Sequence, residues 1–210
     1  MSPSIVTGLA LDARRPGYRV VQVDRGRFAS LPGDALEAIG VAAGVELTAA
    51  AYAKLKDLAD VEAANRAALR ALARRPHARA DLRRRLIQKQ HPPAAVDRAL
   101  ARLAERGLLD DARFACGYAA TRALRGRGPA RLVRDLQGQG IERRAAEAAV
   151  ARALAEERID PLEAARAAVT RKARQLGPLP VAVRRRRLAA YLMRRGFGGE
   201  SVRRVIEEIA

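Results

Sequence analysis

The chain has 210 residues, 49% of them apolar and only 3% aromatic, with no Trp. That size allows one sizeable core or several small ones filled by Leu, Val and Ala, and the mean hydropathy of −0.20 is that of a globular chain. Lys and Arg number 41 against 23 Asp and Glu, a formal net charge of +18. Residues 1–60 hold seven basic and seven acidic side chains, so the whole excess lies in residues 61–210, with 34 basic and 16 acidic. A field of one sign on that scale favours a polyanion or an acidic protein surface, against the plainer reading of solvated helix faces. Cys116 is the only cysteine, which excludes an internal disulfide and fits a reducing compartment. The first residues lack a signal-peptide pattern, and no apolar run approaches the roughly 18 residues that span a bilayer. The expectation is a soluble, cytoplasmic protein.

Residues 1–60 read as an N-terminal extension. β-Branched residues fill Ile5–Leu11 and Tyr18–Val23, and Asp24-Arg25-Gly26 supplies a turn before Arg27–Leu31. These predict a small antiparallel sheet of two or three strands. Pro32-Gly33-Asp34 opens a short helix over Ala35–Ile39 that stops at Gly40. Thr48 is placed to cap a helix from Ala49, which can run on to Ala73 because no Pro or Gly interrupts residues 45–75.

From there the chain is helical and repetitive. Leu82, Leu86, Gln90, Val96, Leu100 and Leu103 recur 50 residues later as Leu132, Leu136, Gly140, Ala146, Val150 and Ala153. A further 56 residues on, the same offsets fall on Leu188, Leu192, Gly196, Val202, Ile206 and Ile209. The pairs Gly140-Ile141 and Gly196-Phe197 mark the same break twice. Tandem units of this size complete one another's cores. We divide the chain into 1–60, then three-helix repeats at 61–109, 110–158 and 159–210. The first repeat takes Val61–Arg74, Ala78–Lys89 and Ala94–Glu105. The second takes Asp111–Leu124, Pro129–Gln137 and Arg143–Glu156. The third takes Pro161–Leu176, capped by Asp160, then Val181–Arg195 and Glu200–Ile209. Helices this short need their apolar stripes packed to persist.

Little in this chain reads as catalytic. Asp110 and Asp111 could share an ion, but they stand where an N-cap and a first-turn carboxylate belong, and no third ligand lies at helical spacing. His77 and His91 sit at helix boundaries without zinc-ligand spacing, and Cys116 reads as core. Gly126 and Gly128 follow a helix and no strand precedes them, so they do not form a phosphate loop, and GxxxxGK[ST], GxSxG and GxGxxG are absent. No catalytic residue, cofactor or metal is expected. What remains are arginine clusters: Arg83, Arg84 and Arg85; Arg125, Arg127, Arg131 and Arg134; Arg184, Arg185, Arg186 and Arg187 with Arg194 and Arg195. The planar guanidinium pairs bidentately with phosphate or carboxylate, so on a stacked array these side chains would form a basic stripe for a partner or DNA. The scarcity of aromatics argues against base stacking along a single strand and favours an acidic or nucleoprotein surface over sequence-independent strand binding.

The segments ALRALARRPHARADLRRRL and RALARLAERGLLDDARFACGYAATRALRGRGPARLVRDLQGQGI resemble the RecX family of bacterial regulatory proteins. The family pattern of an Arg-Pro break, an acidic helix entry, a Gly-x-(Leu/Ile)-(Asp/Asn)-Asp-x-x-(Phe/Tyr)-Ala segment, a Gly-rich elbow and a Gly-Ile break falls here in order. Its elements match Arg75-Pro76, Asp81, Gly107 to Ala115, Arg125 to Pro129, and Gly140-Ile141. His77 stands where the family has Ser, which removes a full capping box there. The resemblance is strongest over residues 61–155 and covers 156–210 more weakly. It implies a mostly α fold of tandem three-helix repeats in an elongated, curved array, with the small β-containing extension in front. It also implies a monomeric, non-enzymatic modulator, mainly a negative regulator, of RecA recombinase. Such a protein binds the RecA–single-stranded-DNA filament and limits its extension, ATP hydrolysis and strand exchange. Weak direct binding to single- or double-stranded DNA is a further expectation, and no membrane partner is. The alternative is a basic helical-repeat protein that binds DNA without a recombinase. A scaffold for another acidic partner is a third reading.

Overall fold

The computed structural model of the protein describes residues 4–177 and 179–208. The chain forms two compact units, one from residues up to Arg75 together with Leu82–Leu108, the other from Pro76–Asp81 together with the chain from Leu109 on.

In the first unit, β1 (Ser4–Leu11), β2 (Tyr18–Val23) and β3 (Gly26–Pro32) precede α1 (Gly33–Ala38), β4 (Glu46–Leu47) and the long α2 (Ala49–Leu72). The sheet is antiparallel in the order β3-β2-β1-β4, so it has one strand more than the two or three predicted. β4 is only two residues long, too short to leave an alternating pattern. The β2–β3 turn places Asp24 (φ 49°) and Arg25 (φ 64°) in the left-handed region, the backbone of a tight hairpin whose twist matches the strands. The Asp24 carboxylate accepts the Ile5 amide at 2.8 Å, which offsets the strain of that turn. Val6, Val21, Leu31, Leu36, Val41, Leu47 and Leu55 make the core between sheet and helices. Thr48 caps α2 by accepting the Ala51 amide at 3.1 Å, as its position predicts. Farther along α2, buried Glu62 accepts the Tyr18 hydroxyl at 3.2 Å, tying β2 to the helix.

The helix predicted over Val61–Arg74 is the second half of α2, uninterrupted from Ala49. It packs against α4 (Pro93–Glu105), an interface stapled by Arg98 on Asp57. α3 (Arg79–Gln88) ends with Gln90 at φ 66°, and the His91 amide turns back to the Leu86 carbonyl at 3.2 Å, closing the helix as a glycine would.

The second unit holds α5 (Asp111–Ala123), α6 (Pro129–Gly138), α7 (Arg143–Glu156), α8 (Pro161–Arg174), α9 (Val181–Arg195) and α10 (Gly199–Glu208). Phe114, Ala115, Ala119, Leu132, Leu136, Ala146, Val150 and Ala153 lie in one core; Ala165, Ala168, Val169, Leu188, Leu192, Phe197, Val202 and Val205 lie in a second. The recurring offsets are therefore core positions: Leu82, Leu86, Val96, Leu100 and Leu103 are buried, as are their counterparts in the second repeat and Leu188, Leu192 and Val202 in the third. Ile206 is only half-buried, with Val205 taking the inner place, and Ile209 lies outside the described residues. Asp110 caps α5 through the Arg113 amide at 2.9 Å, and Asp160 caps α8 through the Leu162 amide at 2.9 Å. Asp111 does more than feed the helix dipole: it accepts the Arg79 amide at 2.7 Å and so caps the start of α3.

Candidate basic interface

The two glycine breaks sit where backbones touch. Gly140 has φ 88°, and a Cβ there would lie 2.3 Å from that of Ala80. Gly196, the left-handed residue ending α9, has φ 87°, and a Cβ there would lie 2.2 Å from the Arg131 amide nitrogen. Across this contact the Gly128 and Ala130 amides donate to the Arg195 and Gly196 carbonyls at 2.8 and 3.0 Å. Unpaired N–H groups at the start of α6 thus meet unpaired carbonyls at the end of α9, with Pro129 between them needing no acceptor. Arg195 completes the clasp by donating to the Gly126 carbonyl at 2.9 Å while its guanidinium lies 5.2 Å from the Tyr191 ring centroid.

That clasp redistributes the predicted arginines. Arg127 and Arg131 both pair with Asp135, the second at 2.8 Å, so both guanidinium groups are held in place and one of their two charges is offset. Arg134 turns its Nε back to the Ala130 carbonyl at 3.3 Å, whereas Arg125 is exposed at the end of α5. In the first unit Arg83 grips Asp97 with two bonds of 2.6 and 3.0 Å, which raises its already high pKa, and Arg84 and Arg85 are exposed but engaged. Arg184 is half-buried and also engaged, while Arg185, Arg186, Arg187 and Arg194 are exposed.

The structure gathers Arg186, Arg187 and Arg194 with Lys172 around one open groove between α8 and α9, of about 230 Å³, floored by Leu176 and Ala190. Lys172 lies outside the arginine clusters read from the sequence, between Arg171 and Arg174. The signal that marks it is an absence: residues 164–199 carry ten basic side chains and no carboxylate. Elsewhere arginines find acids one turn away, as in Arg143–Glu147, Arg152–Glu156 and Arg204–Glu200. Within that run Arg166 reaches carboxylates on either side of it, Glu163 and Glu208.

His77 differs from its sequence reading as a bare boundary residue. It is buried, and its Nδ1 lies 3.0 Å from Oδ2 of Asp81, itself buried. The pair ties the residues before α3 to its first turn. Cys116 is half-buried against the second repeat's core, its thiol facing the Ala149 carbonyl at 3.7 Å. Among the described residues no three His, Cys, Asp or Glu side chains converge as metal ligands, and no helix is long and apolar enough to cross a membrane.

Three family models match this chain in order: the first three-helix domain of RecX over residues 64–103, the second over 110–150 and the third over 159–206. The chain belongs to the RecX family. It is 40% identical over 144 residues to the regulatory protein RecX of Halorhodospira halophila, covering 68% of this chain and 85% of that one. To the regulatory protein RecX of Pseudomonas syringae pv. tomato it is 37% identical over 145 residues, 69% and 90% of the two chains. A crystal structure of a regulatory protein RecX superposes with a TM-score of 0.77 at 20% identity over 98% of this chain and 99% of that one. The crystal structure of RecX from Lactobacillus salivarius gives 0.62 at 19% identity, over 71% and 96%. The fold is thus the mostly helical RecX fold of three-helix domains with a small antiparallel sheet in front, and the protein belongs to a family of regulatory proteins.

Proposed function

We infer that this protein is a non-enzymatic negative regulator of a RecA recombinase, acting on the RecA–single-stranded-DNA filament and limiting its growth, ATP hydrolysis and strand exchange. Family membership along all three helical domains carries this reading. The charge supports it: an excess confined to residues 61–210 would draw the helical repeats to a nucleoprotein polyanion. Arg125, Arg186, Arg187 and Arg194 are the arginines we assign to that surface. Arg127, Arg131 and Arg195 belong to the framework, because each is already spent on Asp135 or on the Gly126 carbonyl.

The test is single-stranded-DNA-dependent ATP hydrolysis by the cognate RecA, with this protein well below the RecA concentration and DNA in large excess. A strong drop in hydrolysis is expected, since few molecules then silence many protomers. An unchanged rate would sink the filament reading and favour a protein that binds DNA alone, a reading to which the acid-free run over residues 164–199 lends weight.

A further inference from the structure

The groove between α8 and α9 brings four basic side chains together. Lys172 reaches it from α8, and Arg186, Arg187 and Arg194 from α9, with no carboxylate among its lining residues. Such convergence raises the free energy of the protein alone through like-charge repulsion, and an anion bound there relieves it. We propose that this groove is a nucleic-acid site that grips the phosphodiester backbone of a DNA strand without reading bases. The inference rests on the assignment of the basic surface above and sharpens it to four side chains.

Three features point to the backbone of a nucleic acid, the first against an acidic protein surface and the other two against base readout. The floor offers only Leu176 and Ala190, too little apolar area for the buried anchors at the centre of a protein interface. The neighbouring aromatic, Tyr191, already has Lys172 on its ring at 6.0 Å and Arg195 at 5.2 Å, so it does not offer a face for base stacking. The lining holds neither Asn, Gln, Ser nor Thr to recognise base edges, leaving charge and bidentate guanidinium geometry, which suit phosphate oxygens. The half-buried Arg195 next door is held by Gly126, so it frames the groove and does not join it.

The experiment is fluorescence anisotropy of a labelled twenty-nucleotide oligothymidylate with the full chain, across a salt series. The groove variant is Arg186→Gln, Arg187→Gln, Arg194→Gln. The control is Arg143→Gln, Arg152→Gln, Arg204→Gln, which removes the same charge from exposed arginines outside the groove. The groove variant should bind at least about tenfold more weakly and lose about two from the slope of log affinity against log salt. The control should change by less than about threefold, and circular dichroism should show the same helix content for all three proteins. Equal losses in the two variants would reduce the effect to bulk charge and overturn the site, as would wild-type affinity in the groove variant. Poly-glutamate of matched charge that displaces the oligonucleotide as well as unlabelled DNA does would make an acidic protein the occupant and overturn it too. Recombinase ATP hydrolysis separates this inference from the filament reading. Groove-dependent DNA binding by a wild-type protein that never slows hydrolysis would sink the filament reading alone.

Discussion

Gly196 carries two constraints at once. Its φ of 87° belongs to the left-handed region, and its missing Cβ leaves room for the Arg131 backbone. Gly107 has φ 67° with nothing within 4 Å of a Cβ, so it carries the first constraint alone. Alanine at Gly107 should cost about 1–2 kcal/mol, the ordinary cost of a left-handed alanine. Alanine at Gly196 should cost about 3–4 kcal/mol, because strain and overpacking at the clasp add. Urea denaturation compares the two, and equal losses would mean that the α6–α9 contact yields freely. The sequence marks Gly140 and Gly196 as helix stops, a local property. That Gln90 serves the same stop with φ 66° shows the glycines are needed for more than the turn. The extra demand is the neighbouring backbone, which no pattern within one repeat reveals.

At the scale of elements, N-terminal boundaries were legible where a cap or a proline marks them. α7 and α9 run over Arg143–Glu156 and Val181–Arg195 as predicted, and α5 and α6 differ from prediction by one residue at their C-termini. The four-stranded sheet was less legible, because a two-residue strand carries no periodicity; the run of α2 from Ala49 followed from the absence of Pro and Gly, but not its change of partners, from the sheet to α4. The capping of α5 makes a direct test. Asp110→Ala removes the acceptor for the Arg113 amide and should destabilise the protein by about 1 kcal/mol, whereas Asp110→Asn should cost only a few tenths, since its side-chain oxygen can still cap. Thermal or urea melts that show no difference between the two would assign Asp110 to something other than capping.

At the scale of the whole molecule, three carboxyl groups and one imidazole among the described residues have their pKa lowered by the fold. Burial lowers the His91 pKa from 6.5, aided by Arg70 and Lys89. A hydrogen bond from Ser30 lowers that of Asp12, one from Arg98 that of Asp57, and one from Arg166 that of Glu208. A lowered folded-state value means that the folded protein binds fewer protons than the unfolded chain. These contributions are therefore complete above the ordinary values and disappear as pH falls through the folded ones. Acidification also adds to a net charge of +18 and strengthens self-repulsion. The thermal midpoint should fall from about pH 7 downward, gently around pH 6 and steeply below about pH 4, and His91→Gln should flatten only the first part. A midpoint that is constant or rises on acidification would contradict this.

The sequence by itself determined the repeat, the helix caps and the family, because each rests on short-range chemistry: apolar spacing, an aspartate before a helix, a glycine after one. Only tertiary structure decided which arginines remain available. Asp135 engages Arg127 and Arg131 over separations that sequence does show, but Arg195 meets the Gly126 carbonyl from 69 residues away, and Lys172 meets Arg186, Arg187 and Arg194 across two helices. Charge is counted along the chain but compensated in space, so the folded packing sorts framework arginines from those left facing an anion.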